Sequence, residues 1–205
     1  MPPESIIQFP PVYSHSQLEA GNGVCAAGHS RAARAGIRMM ELGGNAFDSM
    51  VAAAFTTFVM EPESCGLGGY GHISAYIAET REFLSIDAYC RAPARASAQM
   101  FKVDTTRALS YYGHPVTKGD LAYVGWLAIA VPGAVAGFCD LHSLLGRLPL
   151  KKVLTPAIEA AEEGVPLTFR HQLEITAELD RIKRYSDTAA ALLVGGKVPS
   201  IQSQT

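Results

Sequence analysis

Apolar residues recur at helical spacing in the first third of the chain, then alternate with polar ones. Past Ser30, residues Arg31, Arg34, Arg38 and Glu41 share one stripe, and Ala33, Ile37 and Met40 fall on the other side. This spacing predicts an amphipathic helix, capped by Ser30 and ended by Gly43-Gly44. Its arginine stripe reads as a solvent face. A second helix is predicted over 46–61, capped by Asn45, with Asp48 favourable near its positive end and Pro62 as its stop. Phe47, Met50, Val51, Ala54, Phe55, Phe58 and Val59 make it apolar nearly all round, so it belongs inside a layered fold.

Strict alternation over 72–78 and 83–88 predicts a hairpin, joined by Glu79-Thr80-Arg81-Glu82. Short apolar runs at 23–27 and 127–131 predict two more strands. Pro132-Gly133 opens a helix to about Leu145, with the proline at its first position. Thr155-Pro156 starts another, ended by Gly164, and Thr168 caps a last one running to about Arg184. Residues 89–125 read as short helices and loops, and those beyond 184 as loop. Residues 1–22, with four prolines, read as an extended arm. Strands and helices alternate loosely, without regular βαβ units, which predicts an α+β fold over a doubly wound parallel sheet.

Charge narrows the partners. Seventeen basic and 19 acidic residues give a net −2 over 205 residues, with no long run of either sign. A nucleic-acid binder needs a basic face, so nucleic acid is not an expected partner. The longest apolar stretch, 51–60, falls short of the ~20 residues that span a bilayer, so no membrane span is expected. Met1-Pro-Pro-Glu lacks the basic and apolar regions of a secretory signal. A cytoplasmic protein is expected, or a periplasmic or secreted one whose signal has been removed. Cys25, Cys65, Cys90 and Cys139 stand far apart with no C-x-x-C pair, which argues against zinc and predicts free, mostly buried thiols.

Candidate chemistry is sparse. The run Gly66-Leu-Gly-Gly-Tyr-Gly71 follows a helix and precedes a strand, the reverse of a phosphate loop, so it reads as a tight turn where backbones pack closely. No pair of the six histidines has metal-site spacing, and neither metal nor cofactor is expected. His29 and His72 read as structural, and Glu61 and Glu63 beside Pro62 as solvated. No Gly-x-Ser-x-Gly elbow occurs. The residues describe a well-packed domain without a self-sufficient active site.

Several blocks in order carry a resemblance. They are Gly23-Val-Cys-Ala-Ala, then Ala35-Gly-Ile-Arg-Met-Met-Glu-Leu-Gly-Gly-Asn-Ala-Phe-Asp48, Val51-Ala-Ala-Ala54 and Glu61-Pro-Glu-Ser-Cys-Gly-Leu-Gly-Gly69. Ile86-Asp87 with Ala92-Pro-Ala-Arg-Ala-Ser97, Val131-Pro-Gly-Ala-Val-Ala-Gly137 and Thr155-Pro-Ala-Ile-Glu-Ala-Ala-Glu-Glu-Gly164 continue the series. Over about 23–170 the chain resembles the γ-glutamyltranspeptidases. The resemblance implies an N-terminal-nucleophile hydrolase, a four-layer αββα sandwich, with 23–205 as the large-subunit part of one domain completed by a second chain. It implies a precursor that cuts itself, and a small subunit whose N-terminal threonine is the nucleophile. On that reading no catalytic residue lies on this chain. The freed α-amine serves as base for its own hydroxyl, and oriented donors hold the oxyanion. The implied substrate is a small-molecule amide, γ-glutamyl as in glutathione or related, with the acyl group passed to water or to an acceptor. A dimer of heterodimers is an assembly open to such a protein.

One position departs from the family. Two residues past the Asp that ends the strand, the family has an arginine that pairs with the substrate α-carboxylate. Here that place holds Tyr89; Arg91 lies two residues further and Arg95 six. Tyr89 and Arg91 are the candidate substrate-binding residues. Either the acyl group differs, as in relatives that cleave cephalosporin side chains or oxamate, or Arg91 swings in, or Tyr89 is structural and the pocket lies elsewhere. A relative that keeps the fold as a binding or structural protein, without the nucleophile, is the rival from another class.

Overall fold

The computed structural model describes residues 19–110 and 113–201. Residues 1–18 of the expected arm, and Thr205, lie outside them. Helix α1 spans Ser30–Glu41 and α2 Ala46–Met60. His29, not Ser30, caps α1: its Nδ1 accepts the Arg31 N–H at 3.1 Å, and Ser30 already sits within the helix. Gly36 lets the two helices close, since a Cβ there would lie 2.7 Å from Ser49 Oγ and 2.4 Å from Cys25 Sγ. The arginine stripe is not a bare solvent face. Arg31 pairs with Glu163 at 2.7 Å and Arg38 with Glu159 at 2.6 Å, both on helix α4 (Leu150–Glu163).

Asn45 caps α2 as expected, in a capping box with Asp48. Asp48 is fully buried and does more than sit at a positive helix end. Its carboxylate also accepts the N–H groups of Arg147 and Leu148 at 3.1–3.2 Å and lies 3.4 Å from His142 Nε2. This stitches the start of α2 to the link between α3 (Ala134–Leu145) and α4. Thr56 and Thr57 return their hydroxyls to the carbonyls four residues back at 2.8 Å, so an apolar helix tolerates them. α2 is the middle of the helical layer, against α1, α3 and α4. Phe55, Phe58 and Phe138 meet edge-to-face there, with centroids 5.6–6.2 Å apart.

Strands β1 (Gly71–Ile77) and β2 (Glu82–Ala88) form the antiparallel hairpin, in the register His72–Asp87, Ser74–Ser85, Tyr76–Phe83. Ile73, Leu84 and Ile86 point into the core with Val51, Phe55 and Leu141. The other face carries His72, Tyr76, Phe83 and Asp87 and is covered by nothing among the described residues. The fold is mixed helix and sheet, as the loose alternation predicted.

Several expectations are corrected. Residues 23–27 run without a strand partner among the described residues, so their apolar pattern yields no strand. At 127–131 a 3₁₀ turn (Trp126–Ala128) leads to Val131, which makes only a single-residue bridge to Arg91. Pro132 precedes α3, whose cap is Gly133. α4 begins five residues before Thr155 and carries Pro156 inside it, where packing of the buried ring against the core overrides the local stop rule. The helix capped by Thr168 ends at Ala177 (α5, Phe169–Ala177) and is followed by α6 (Leu179–Ile182) and, where loop was expected, α7 (Ser186–Leu192). All four cysteines are free but only partly buried. No described helix is long and apolar enough to cross a membrane.

Candidate active site

The exit of β2, the glycine loop and the start of α3 converge. Two glycines one helical turn apart make this possible. A Cβ on Gly133 would lie 2.4 Å from the Ala88 carbonyl oxygen and 2.6 Å from that of Tyr89, and one on Gly137 would lie 2.4 Å from Ala88 Cβ. Ala134, first in α3, donates its N–H to the Gly69 carbonyl at 3.1 Å, so a helix-end donor fixes the glycine loop. Within the loop Gly69 N–H bonds Gly66 O at 2.9 Å. The segment is a turn as its sequence suggested, but it is tight only at Gly69; a Cβ on Gly66, Gly68 or Gly71 would meet open space.

Tyr89 takes its place from this frame. Its N–H donates to Asp87 Oδ1 at 3.0 Å, and two residues on Arg91 exchanges both backbone hydrogen bonds with Val131, at 3.0 and 2.8 Å. The Tyr89 ring lies against Tyr70, centroids 4.4 Å apart and planes inclined by 52°. Tyr70, chiefly by hydrogen bonding and then by charge, holds the Tyr89 phenol above its ordinary value. The structure thus brings the backbones of Tyr89 and Arg91 to one exit but records no contact between their side chains. The Arg91 guanidinium is exposed and makes no ion pair among the described residues. Arg95 lies in the exposed turn after it. On the open face of the hairpin, His72 Nε2 meets Ser85 Oγ at 2.9 Å and its Nδ1 stands 4.0 Å from Asp87.

Two features escaped the sequence. Tyr70 is an aromatic set among glycines, and that interruption was the only signal. Glu63, expected to be solvated, is nine-tenths buried, 2.9 Å from His171 Nε2 and 3.4 Å from Arg170 Nε. His171 Nδ1 accepts the Thr168 N–H at 3.2 Å, and its Nε2 stands beside Glu63 Oε2, which has no aligned hydrogen bond among the described residues. The pair ties α5 to the segment after α2. Beside it, burial and then Glu61 and Glu63 push the Cys65 thiol up, so at neutral pH it is no thiolate nucleophile. No described cluster of three or more His, Cys, Asp or Glu could hold a metal ion.

The family model of gamma-glutamyltranspeptidase matches residues 32–204. The chain belongs to the γ-glutamyltranspeptidase family. Among family members, the glutathione hydrolase proenzyme of Bacillus subtilis is 33% identical over 167 residues, 81% of this chain and 26% of that protein. The acylase ACY 1 proenzyme of a Pseudomonas species is 36% identical over 177 residues, 85% of this chain and 31% of that one. The crystal structure of Helicobacter pylori gamma-glutamyltranspeptidase superposes with a TM-score of 0.77 at 28% identity, over 89% of this chain and 50% of that chain. The chain therefore spans a quarter to a third of the length of the curated relatives it matches.

Proposed function

We propose that residues 23–205 are the large-subunit part of an N-terminal-nucleophile amide hydrolase, half of a four-layer αββα sandwich. A segment headed by a threonine, released by self-cleavage of a common precursor, completes it. One observation carries this reading: the hairpin is packed on a single side. Its open face presents Phe83, 85% exposed, and Tyr76, 51% exposed. A second sheet laid on that face would bury both rings. The word proenzyme in the names of two relatives supports maturation by cleavage.

In the proposed reaction the threonine hydroxyl oxygen bonds to the amide carbon while its proton passes to the freed α-amine. The carbon–nitrogen bond breaks, the leaving amine takes that proton, and water then cleaves the acyl ester and restores the hydroxyl. A glutathione hydrolase and an acylase among the relatives support an amide substrate. Tyr89 and Arg91 line the acyl end. A neutral phenol gives one hydrogen bond where a guanidinium would give a charged, two-pronged one, so the acyl group is one other than γ-glutamyl.

Mass spectrometry of the protein made from its whole gene tests this. Two chains are expected, one beginning with threonine, with slow release from γ-glutamyl-p-nitroanilide relative to other amides. Tyr89→Arg should lower the KM for that γ-glutamyl substrate by about 10-fold, as a charged hydrogen bond is restored; an unchanged KM would remove Tyr89 from the pocket. A single uncleaved chain without amidase activity would refute the enzyme and favour a binding relative that lacks the nucleophile.

A further inference from the structure

Tyr70 and Tyr89 are the two large rings at the β2 exit, and both are about half exposed (57% and 54%). Neither is free to drift. The carbonyl before Tyr70 is held by the first N–H of α3, the Tyr89 N–H is held by Asp87, and Gly133 packs on the Tyr89 carbonyl. Exposed rings fixed at 4.4 Å form a rigid apolar surface that gains by covering a flat, greasy group. A hydrogen bond between the two hydroxyls uses one O–H and leaves the other available. The charge nearest the Tyr89 backbone is the carboxylate of Asp87, which repels another carboxylate.

We propose that Tyr70 is a specificity-determining residue, forming with Tyr89 an aromatic platform that selects planar, uncharged acyl groups, aroyl or arylacetyl, over carboxylate-bearing ones. This rests on the reading that Tyr89 lines the acyl pocket. The platform supplies a π-face and one hydroxyl donor of the pair for an acceptor on the acyl group. Arg91, with no ion-pair partner among the described residues to aim it, does not set the preference.

The test uses the matured two-chain protein with phenylacetyl-, butyryl- and γ-glutamyl-p-nitroanilide. The wild type should favour the phenylacetyl substrate. Tyr70→Ala should lower the phenylacetyl-to-butyryl ratio of kcat/KM by roughly 10-fold, the range expected for losing one aromatic contact. Tyr70→Phe should keep most of the ratio and bring the Tyr89 phenol back towards its ordinary range in an ultraviolet titration. Independently of any variant, phenylacetate should inhibit the wild type more tightly than glutarate. An unchanged ratio in Tyr70→Ala, a wild-type preference for γ-glutamyl, or tighter glutarate inhibition would overturn the platform while amide cleavage itself stands. A two-chain protein that cleaves none of these amides would overturn the amidase reading, and the platform with it.

Discussion

Replacing Asp48 should cost this protein more than any change at its surface. The carboxylate is fully buried and collects three backbone donors, from Asn45, Arg147 and Leu148, at 2.9–3.2 Å. In Asp48→Ala all three N–H groups lose their acceptor, and each buried orphan donor costs ~1–3 kcal/mol. Relaxation of the loop at Arg147 offsets part of the sum, which brings the loss to about 4 kcal/mol. With a urea slope of about 2 kcal/mol per M, the unfolding midpoint should fall by about 2 M. Asp48→Asn keeps one oxygen and turns an amide N–H₂ on the remaining donors, so about half the loss is expected. Glu159→Gln is the control: both partners of its ion pair are about 40–46% exposed, and such pairs contribute less than ~1 kcal/mol. Circular dichroism through a urea series reads all three. If Asp48→Ala moves the midpoint no further than Glu159→Gln does, the carboxylate is not the clamp described above.

Other outcomes follow from the same geometry. Gly133→Ala places a Cβ within 2.4 Å of the Ala88 carbonyl oxygen, which is backbone and cannot rotate away. The β2 exit must shift, and kcat/KM for any amide should drop by about 100-fold, as for a misplacement of about 1 Å; full activity would separate this exit from the site. Phe83→Asp puts a charge on the open hairpin face and should reduce the amount of second chain recovered with this one on affinity purification, with equal recovery arguing against that face as the contact. For pH, hydrogen bonding from Arg38 and then its charge hold the Glu159 carboxyl below its ordinary 4.5. The pair's contribution is in place above that value and is lost as pH falls through the lower folded one, so Arg38→Gln should flatten the acid side of the stability profile between about pH 5 and 3.

Local chemistry was readable wherever a local rule decided the outcome. Asn45 and Thr168 cap helices because their side chains reach N–H groups three residues on, and the hairpin declares itself by alternation. Reading failed where distant groups decide. Pro156 is a helix breaker by local rule, yet it lies buried among residues brought in by α2. Glu63 reads as a surface acid until His171 arrives from the far end of the chain. The run at 23–27 has a strand's pattern, but a strand exists only when hydrogen-bonded to another, and no described residue supplies one. At the β2 exit, Tyr89 was marked out by the family resemblance, as the residue standing where the family has an arginine after Asp87. Tyr70 was not, because its meaning comes from a ring nineteen positions away by numbering, at 4.4 Å in space.

The two-stranded hairpin has a practical consequence. Among the described residues each strand pairs only with the other, so both outer rims carry backbone donors and acceptors that no described strand meets. Such rims recruit any extended chain nearby, including another copy of the same molecule. Produced alone, this polypeptide should form precipitate or inclusion bodies, and producing it together with the proposed second chain in one reading frame is the remedy.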